Sequence, residues 1–172
     1  TGISAAEAVN LQARDLEPEH ILLGLLKIED LLQGDKPVAE MSDGDWDEAR
    51  QEIAQLVDFF KQKKIAGKTL RRRLRRLWLD QGRAGGEFSG HRTDDCRKLF
   101  ERAALVAQER GDDKVGLIAF WVECIKMRSP IVEQLLTEQQ LQPDDLIPDK
   151  AETLGEVALE ALEDAGEKEP PG

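Results

Sequence analysis

Two segments 99 residues apart are apolar on nearly every side of a helix, and any fold of this chain must hide both. The first runs from Pro18 through Ile21-Leu22-Leu23-Gly24-Leu25-Leu26-Lys27-Ile28 to Leu31-Leu32; the second spans Leu117 to Met127, after Gly116. A surface helix keeps one polar face, so a helix apolar all round belongs at the centre of a bundle. Pro18 at the first helical position, with Glu17 and Glu19 near the positive end of the helix dipole, marks where the first one starts.

Helical spacing recurs along most of the chain. Trp46, Ala49, Ile53, Leu56, Val57 and Phe60 share one face, behind an Asp45-Trp46-Asp47-Glu48 start with capping-box spacing. Gly67 is expected to stop that helix, and Thr69 to cap a short one carrying Leu70, Leu74 and Leu77. Gly82, Gly85, Gly86 and Gly90 read as a loop. Thr93 is the next N-cap, before Cys96, Leu99, Phe100, Ala103, Ala104 and Ala107, with Gly111 as terminator. Ser129-Pro130 opens a helix with Ile131, Val132, Leu135 and Leu136, and Leu154 to Leu162 allows a last one. No stretch alternates with period two, so the expected class is all-α.

Shifting the sequence by 99 positions lays the first third on the last. Ala5 meets Ala104, Ala8 meets Ala107 and Leu16 meets Val115. The two apolar helices then align as Ile21/Phe120, Leu22/Trp121, Leu23/Val122, Leu25/Cys124, Leu26/Ile125 and Ile28/Met127. The match lies in apolar character more than identity, and Leu11 against Arg110 breaks it. The reading is two pseudo-symmetric helical repeats with a basic helical insert between them. The divisions are 1–60 for the first repeat, 61–92 for the insert, 93–147 for the second repeat, and 148–172 for a final helix and acidic tail.

Charge is unevenly spread. The chain has 35 Asp and Glu against 24 Lys and Arg, a net −11. Between Phe59 and Leu79 stand Lys61, Lys63, Lys64, Lys68, Arg71, Arg72, Arg73, Arg75 and Arg76, with no acidic residue. Subtracting those nine charges leaves −20 on everything else. The arginines cover nearly every side left by Leu70, Leu74 and Leu77. They either face the chain's own acidic surface or tail, or grip an acidic partner, a phosphate backbone or a membrane surface. Nucleic acid is the less favoured partner, because no aromatic stacking platform accompanies them.

Other classes find little support. There is no run of 18 apolar residues, so no membrane span is expected, and no secretory signal is visible. Cys96 and Cys124 lie 28 positions apart without zinc spacing, which suits a reduced, cytoplasmic setting. His91 and Cys96 are poorly placed for a nucleophile–base pair. No Gly-x-x-x-x-Gly-Lys-Ser/Thr occurs, so this chain is expected to be no enzyme of the P-loop kind and to hold no cofactor or metal. The start at Thr1 reads as an excerpt of a longer protein.

Pro18-Glu19-His20-Ile21-Leu22-Leu23-Gly24-Leu25-Leu26 resembles the Pro/Thr-Glu-His-hydrophobic signature of the Clp N-terminal (Clp repeat) domain. His91-Arg92-Thr93, the helix through Glu109-Arg110-Gly111, and Ser129-Pro130-Ile131-Val132-Glu133-Gln134-Leu135-Leu136 resemble the second repeat. The resemblance covers roughly residues 3–147. It implies a double four-helix domain at the front of a Clp-type AAA+ unfoldase, docking adaptor proteins or unfolded substrate polypeptides. It further implies a parent that is hexameric, uses ATP and Mg in domains outside this chain, and in some members feeds a protease.

Departures from the family pattern are specific. Gly34-Asp35-Lys36-Pro37 and Ser42-Asp43-Gly44 interrupt the third helix of repeat one. Some family members bind phosphoarginine through that Glu and a Thr opening each repeat's first helix. Here repeat one keeps Glu19, and repeat two keeps Thr93 but has Ile118-Ala119 in place of Glu-His. Neither repeat carries both halves. Glu19 is a candidate acceptor for a partner's basic group, or simply a helix-dipole residue. His20 is expected to be buried or capping, and Trp121 and Phe120 to be core. The candidate partner-binding residues are therefore Glu19, Thr93, Arg71, Arg72, Arg75 and Arg76.

Overall fold

The computed structural model describes residues 2–33, 41–83, 85–109, 111 and 115–148. In chain order come α1 (Gly2–Asn10), α2 (Pro18–Lys27), a 3-10 turn (Ile28–Gln33), α3 (Asp43–Gln62), α4 (Gly67–Asp80), α5 (Asp94–Glu109), α6 (Leu117–Met127), α7 (Pro130–Glu138) and a second 3-10 turn (Pro143–Leu146). Among the described residues there is no strand, and a parallel bridge joins Leu16 to Arg92. The all-α expectation holds. The interrupting segment at Gly34-Asp35-Lys36-Pro37 and the helix expected at Leu154–Leu162 lie outside the described residues.

The two apolar segments become the central helices. In α2 every residue from Glu19 to Leu26 is buried, and burying a single leucine contributes about 1.5–3 kcal/mol. Helix α2 packs against α1, α4, α5 and α6, while α6 packs against α3, α5 and the second 3-10 turn. Trp121 is buried, donates from Nε1 to the Leu146 carbonyl at 2.8 Å, and sets its ring edge-on to Phe60. Phe120 is only half-buried, against Phe100.

At a shift of 99 residues the facing ends of two helix pairs coincide. Helix α1 ends at Asn10 and α5 at Glu109, and α2 begins at Pro18 as α6 begins at Leu117. The residues two beyond the first helix of each pair, Gln12 and Gly111, both take a left-handed turn, with φ of 55° and 73°. The N-caps Glu17 and Gly116 are both extended. Leu117 lacks a side-chain cap from Gly116, and Glu52 on α3 accepts its N–H at 2.5 Å instead.

Three helix ends differ from expectation. Ser42, rather than Asp45, caps α3 by accepting the Asp45 N–H, so the helix starts one turn earlier. It ends at Gln62 rather than at Gly67, with Lys64 left-handed and the Ile65 N–H closing onto the Phe60 carbonyl. Gly67 opens α4, where a Cβ would stand 3.1 Å from the Leu26 carbonyl, and Thr69 lies inside the helix. The glycine is there for close approach, not for termination.

Helix α4 runs antiparallel along α2, with Gly67 at the Leu26 end and Trp78 at the Glu17 end. Leu70, Leu74, Leu77 and Trp78 all enter the core. The segment read as an insert therefore supplies core residues.

Gly24 marks the tightest approach of α1 to α2: a Cβ there would stand 2.5 Å from Ser4 Oγ. Gly24→Ala should lower unfolding free energy by about 1–3 kcal/mol through overpacking. Adding Ser4→Gly should recover part of that loss. Urea unfolding of the three variants checks both outcomes.

Candidate functional site

A cavity of about 750 Å³ opens where the N-termini of α2, α5 and α7 converge with the end of α6. Its lining includes Glu19 from α2 and Thr93 at the start of α5. The two half-features that sequence assigns to different repeats thus share one cavity. The bridge at Leu16 brings them there. The Leu16 N–H donates to the His91 carbonyl at 2.7 Å, and the Thr93 N–H donates to the Leu16 carbonyl at 3.0 Å.

Glu19 is only 2% exposed. Its Oε1 accepts a long bond from Arg83 Nη1 at 3.4 Å, and its Oε2 is buried with no hydrogen-bond partner among the described residues. A buried carboxylate oxygen left unpaired is costly and poised to accept. Arg83 gives its shorter bond to Glu17 Oε1, at 2.5 Å. Trp78 Nε1 donates to the other Glu17 oxygen at 3.1 Å. Burial pushes the Glu17 carboxyl above its usual range, and the Arg83 guanidinium partly offsets that.

Thr93 is the N-cap that its position suggests: its Oγ1 accepts the Cys96 N–H at 3.2 Å and donates to the Leu16 carbonyl at 3.4 Å. Its hydroxyl is committed to the local fold.

Around the mouth stand Arg83, Lys98, Arg102, Lys126 and Arg128, with Leu22, Ile131 and Val132 as apolar wall. Arg128 caps α6 with φ of 42°, a left-handed conformation costly for a residue with a Cβ. The rim cations come from the loop after α4 (Arg83), from α5 (Lys98 and Arg102) and from the end of α6 (Lys126 and Arg128), so no contiguous motif announces them. The available signal is the set of helix starts at Pro18, Thr93 and Ser129-Pro130, which sequence does reveal.

The four candidate arginines stand elsewhere. Arg71 donates from Nε and Nη2 to Glu7 Oε1, at 2.8 and 2.5 Å, and Arg75 donates from Nη1 to Glu7 Oε2 at 2.9 Å. Arg72 and Arg76 are exposed on α4, with Arg76 paired to Asp80 at 3.4 Å. None lines the cavity.

Chemistry by the cysteines finds no setting here. Burial pushes the Cys96 thiol up to about 11 and raises Cys124 further still, so both stay protonated near neutral pH. His91 is exposed while Cys96 is buried. Among the described residues no group of three or more His, Cys, Asp or Glu could hold a metal, and no helix is long and apolar enough to cross a membrane.

No protein-family model matches the chain, and no curated protein matches it.

His20, next to Glu19 in the sequence, is fully buried. Its Nδ1 accepts the Glu17 N–H at 2.9 Å, so the neutral ring carries its proton on Nε2, which has no partner among the described residues. The ring faces Trp78. Burial first, and Arg83 second, pull His20 down from 6.5 to about 4, against an opposing pull from Glu7. Between those values the unfolded chain binds a proton that the folded chain refuses, so stability falls as pH drops from 6.5 towards 4. Glu17, raised in the fold, contributes with opposite sign in the carboxylate range. Urea midpoints should therefore decline by the equivalent of about 2 kcal/mol between pH 7 and 5. His20→Gln, which keeps an acceptor for the Glu17 N–H, should flatten that slope.

Proposed function

We propose that this chain is a polypeptide-docking module of the Clp N-terminal kind, built as two four-helix repeats. It would present adaptors or unfolded substrate segments to a hexameric, ATP- and Mg-dependent unfoldase ring whose ATPase domains lie outside this sequence. On this reading the module itself turns nothing over, works in the cytoplasm, and serves a parent that in some arrangements delivers to a protease. The family likeness rests on the Pro18-Glu19-His20 segment and the second-repeat segments. The matched ends of α1 with α5 and of α2 with α6 support it.

The observation that carries the docking role is the cavity shared by Glu19 and Thr93. It combines an unpaired buried acceptor, an apolar wall and a cationic mouth. Those are the elements that bind a peptide segment by a few placed polar groups on an apolar surface. Arg128, held left-handed at the rim, is the kind of local strain that clusters at binding sites.

The test is fluorescence anisotropy with a dye-labelled, reduced and alkylated unfolded protein at low and moderate salt. Wild type should bind, and Glu19→Gln and Met127→Asp, the latter at a half-buried residue of the lining, should each weaken binding roughly tenfold, as expected for loss of a charged acceptor or of apolar wall. Failure of the wild-type chain to bind at either salt, or equal binding by all three, contradicts the proposal.

A further inference from the structure

The basic helix divides its charges by direction. At about 100° per residue, Leu70, Leu74, Leu77 and Trp78 define the core face of α4. Arg71 and Arg75 fall on one flank and reach Glu7. Arg73 falls on the other and reaches Glu138 on α7, at 2.7 and 2.8 Å, a pairing that holds the Glu138 carboxyl below its usual range. Opposite the core face lie Lys68, Arg72 and Arg76, one turn apart along a single line, and all are exposed. Leu79 stands on the same line and is 44% exposed. Lys61 and Lys64, exposed at the preceding α3–α4 turn, extend the row. Five cations and one leucine thus face solvent. Arg76 pairs with a carboxylate of its own helix, the exposed Asp80.

We propose that this cationic stripe is the docking surface for the chain's own acidic segment, residues 149–172. That segment holds eight acidic and two basic residues, net −6, with Leu154, Val157, Leu159 and Leu162 among them. Successive cations on the stripe are about 6 Å apart, and Glu152, Glu156, Glu160 and Asp164 recur every fourth residue, the same about 6 Å apart along the helix that the Leu154–Leu162 spacing allows. The leucines have an apolar contact at Leu79. Twenty-four residues span up to about 80 Å when extended, so reach from Pro148 imposes no limit.

The choice of occupant follows from the remaining charge. Apart from the nine basic residues and the segment itself, the chain carries −14 and repels a free polyanion at long range. A tethered segment overcomes that repulsion, because covalent attachment to the chain holds it at an effective concentration in the millimolar range. The stripe offers a nucleic acid no exposed aromatic ring for base stacking, since Trp78 points into the core.

Zero-length carbodiimide cross-linking of the full chain, read by mass spectrometry, tests this. Carboxylates of 149–172 should link to Lys61, Lys64 and Lys68 several-fold more often than to Lys98 or Lys126, within one chain. The links should drop several-fold in about 0.5 M salt. Arg72→Glu with Arg76→Glu should reduce them similarly at an unchanged unfolding midpoint, and Arg72→Glu alone serves if the double variant unfolds. Three results would overturn the proposal. One is an even spread of links over all exposed lysines; another is links confined to mixed pairs of isotope-labelled and unlabelled chains. The third is links insensitive to the substitutions that abolish a gel shift of single-stranded DNA, which would make the stripe a nucleic-acid surface.

Discussion

Glu7 holds the bundle together by a contact that no local pattern contains. It sits on the amphipathic but short α1, is 1% exposed, and is met by three N–H groups from Arg71 and Arg75 on α4. A carboxylate taken out of water is strongly unfavourable until charge-assisted donors satisfy its lone pairs. With both oxygens occupied, the side chain can enter the interior and tie α1 to a helix more than sixty positions away. That tie orients α4, and α4 in turn closes one side of α2. Trp78 and Arg83 then arrive at Glu17 and Glu19. The cavity floor is thus a downstream consequence of where α4 lies.

The same contact explains why net charge is a poor guide to the faces of this molecule. Arg71, Arg73 and Arg75 neutralise carboxylates on other helices of the chain, whereas Lys68, Arg72 and Arg76 point to solvent, where Arg76 meets only the exposed Asp80 of its own helix. Residues adjacent in sequence have opposite physical roles because 100° of helical rotation separates them. The basic segment faces both inward and outward, sorted by helical angle.

Much of this fold is legible in the amino-acid sequence. The all-round apolar character of Ile21–Leu26 and Leu117–Met127 identifies the two central helices, and Leu70, Leu74 and Leu77 mark the core face of α4. Trp78 belongs to the same face, four residues past Leu74, although the three leucines alone do not point to it. Helix ends are less legible: Ser42 rather than Asp45 caps α3 and the helix stops at Gln62, whereas the start at Leu117 is legible from Gly116 even though the distant Glu52 caps it. Gly67 misleads because a glycine that stops a helix and one that permits close packing are identical in sequence. At the site, the residue types single out Glu19 and Thr93, but their meeting depends on the Leu16 bridge. Arg83 and Arg128 emerge only once four helix ends converge. What sequence lacks here is long-range geometry, not composition.

The central claim is that α4 is held inward by a buried carboxylate clamp. Its most direct test is the unfolding free energy of Glu7→Gln beside that of Arg72→Gln, in low salt and in about 1 M NaCl. Glu7→Gln should cost about 3 kcal/mol, since it removes the negative charge and one of the two acceptor oxygens that two half-buried arginines share, and most of that loss should persist at high salt because buried pairs are weakly screened. Arg72→Gln should stay within about 0.5 kcal/mol of wild type. Equal effects of the two substitutions, or a Glu7→Gln loss that vanishes in salt, would contradict the account.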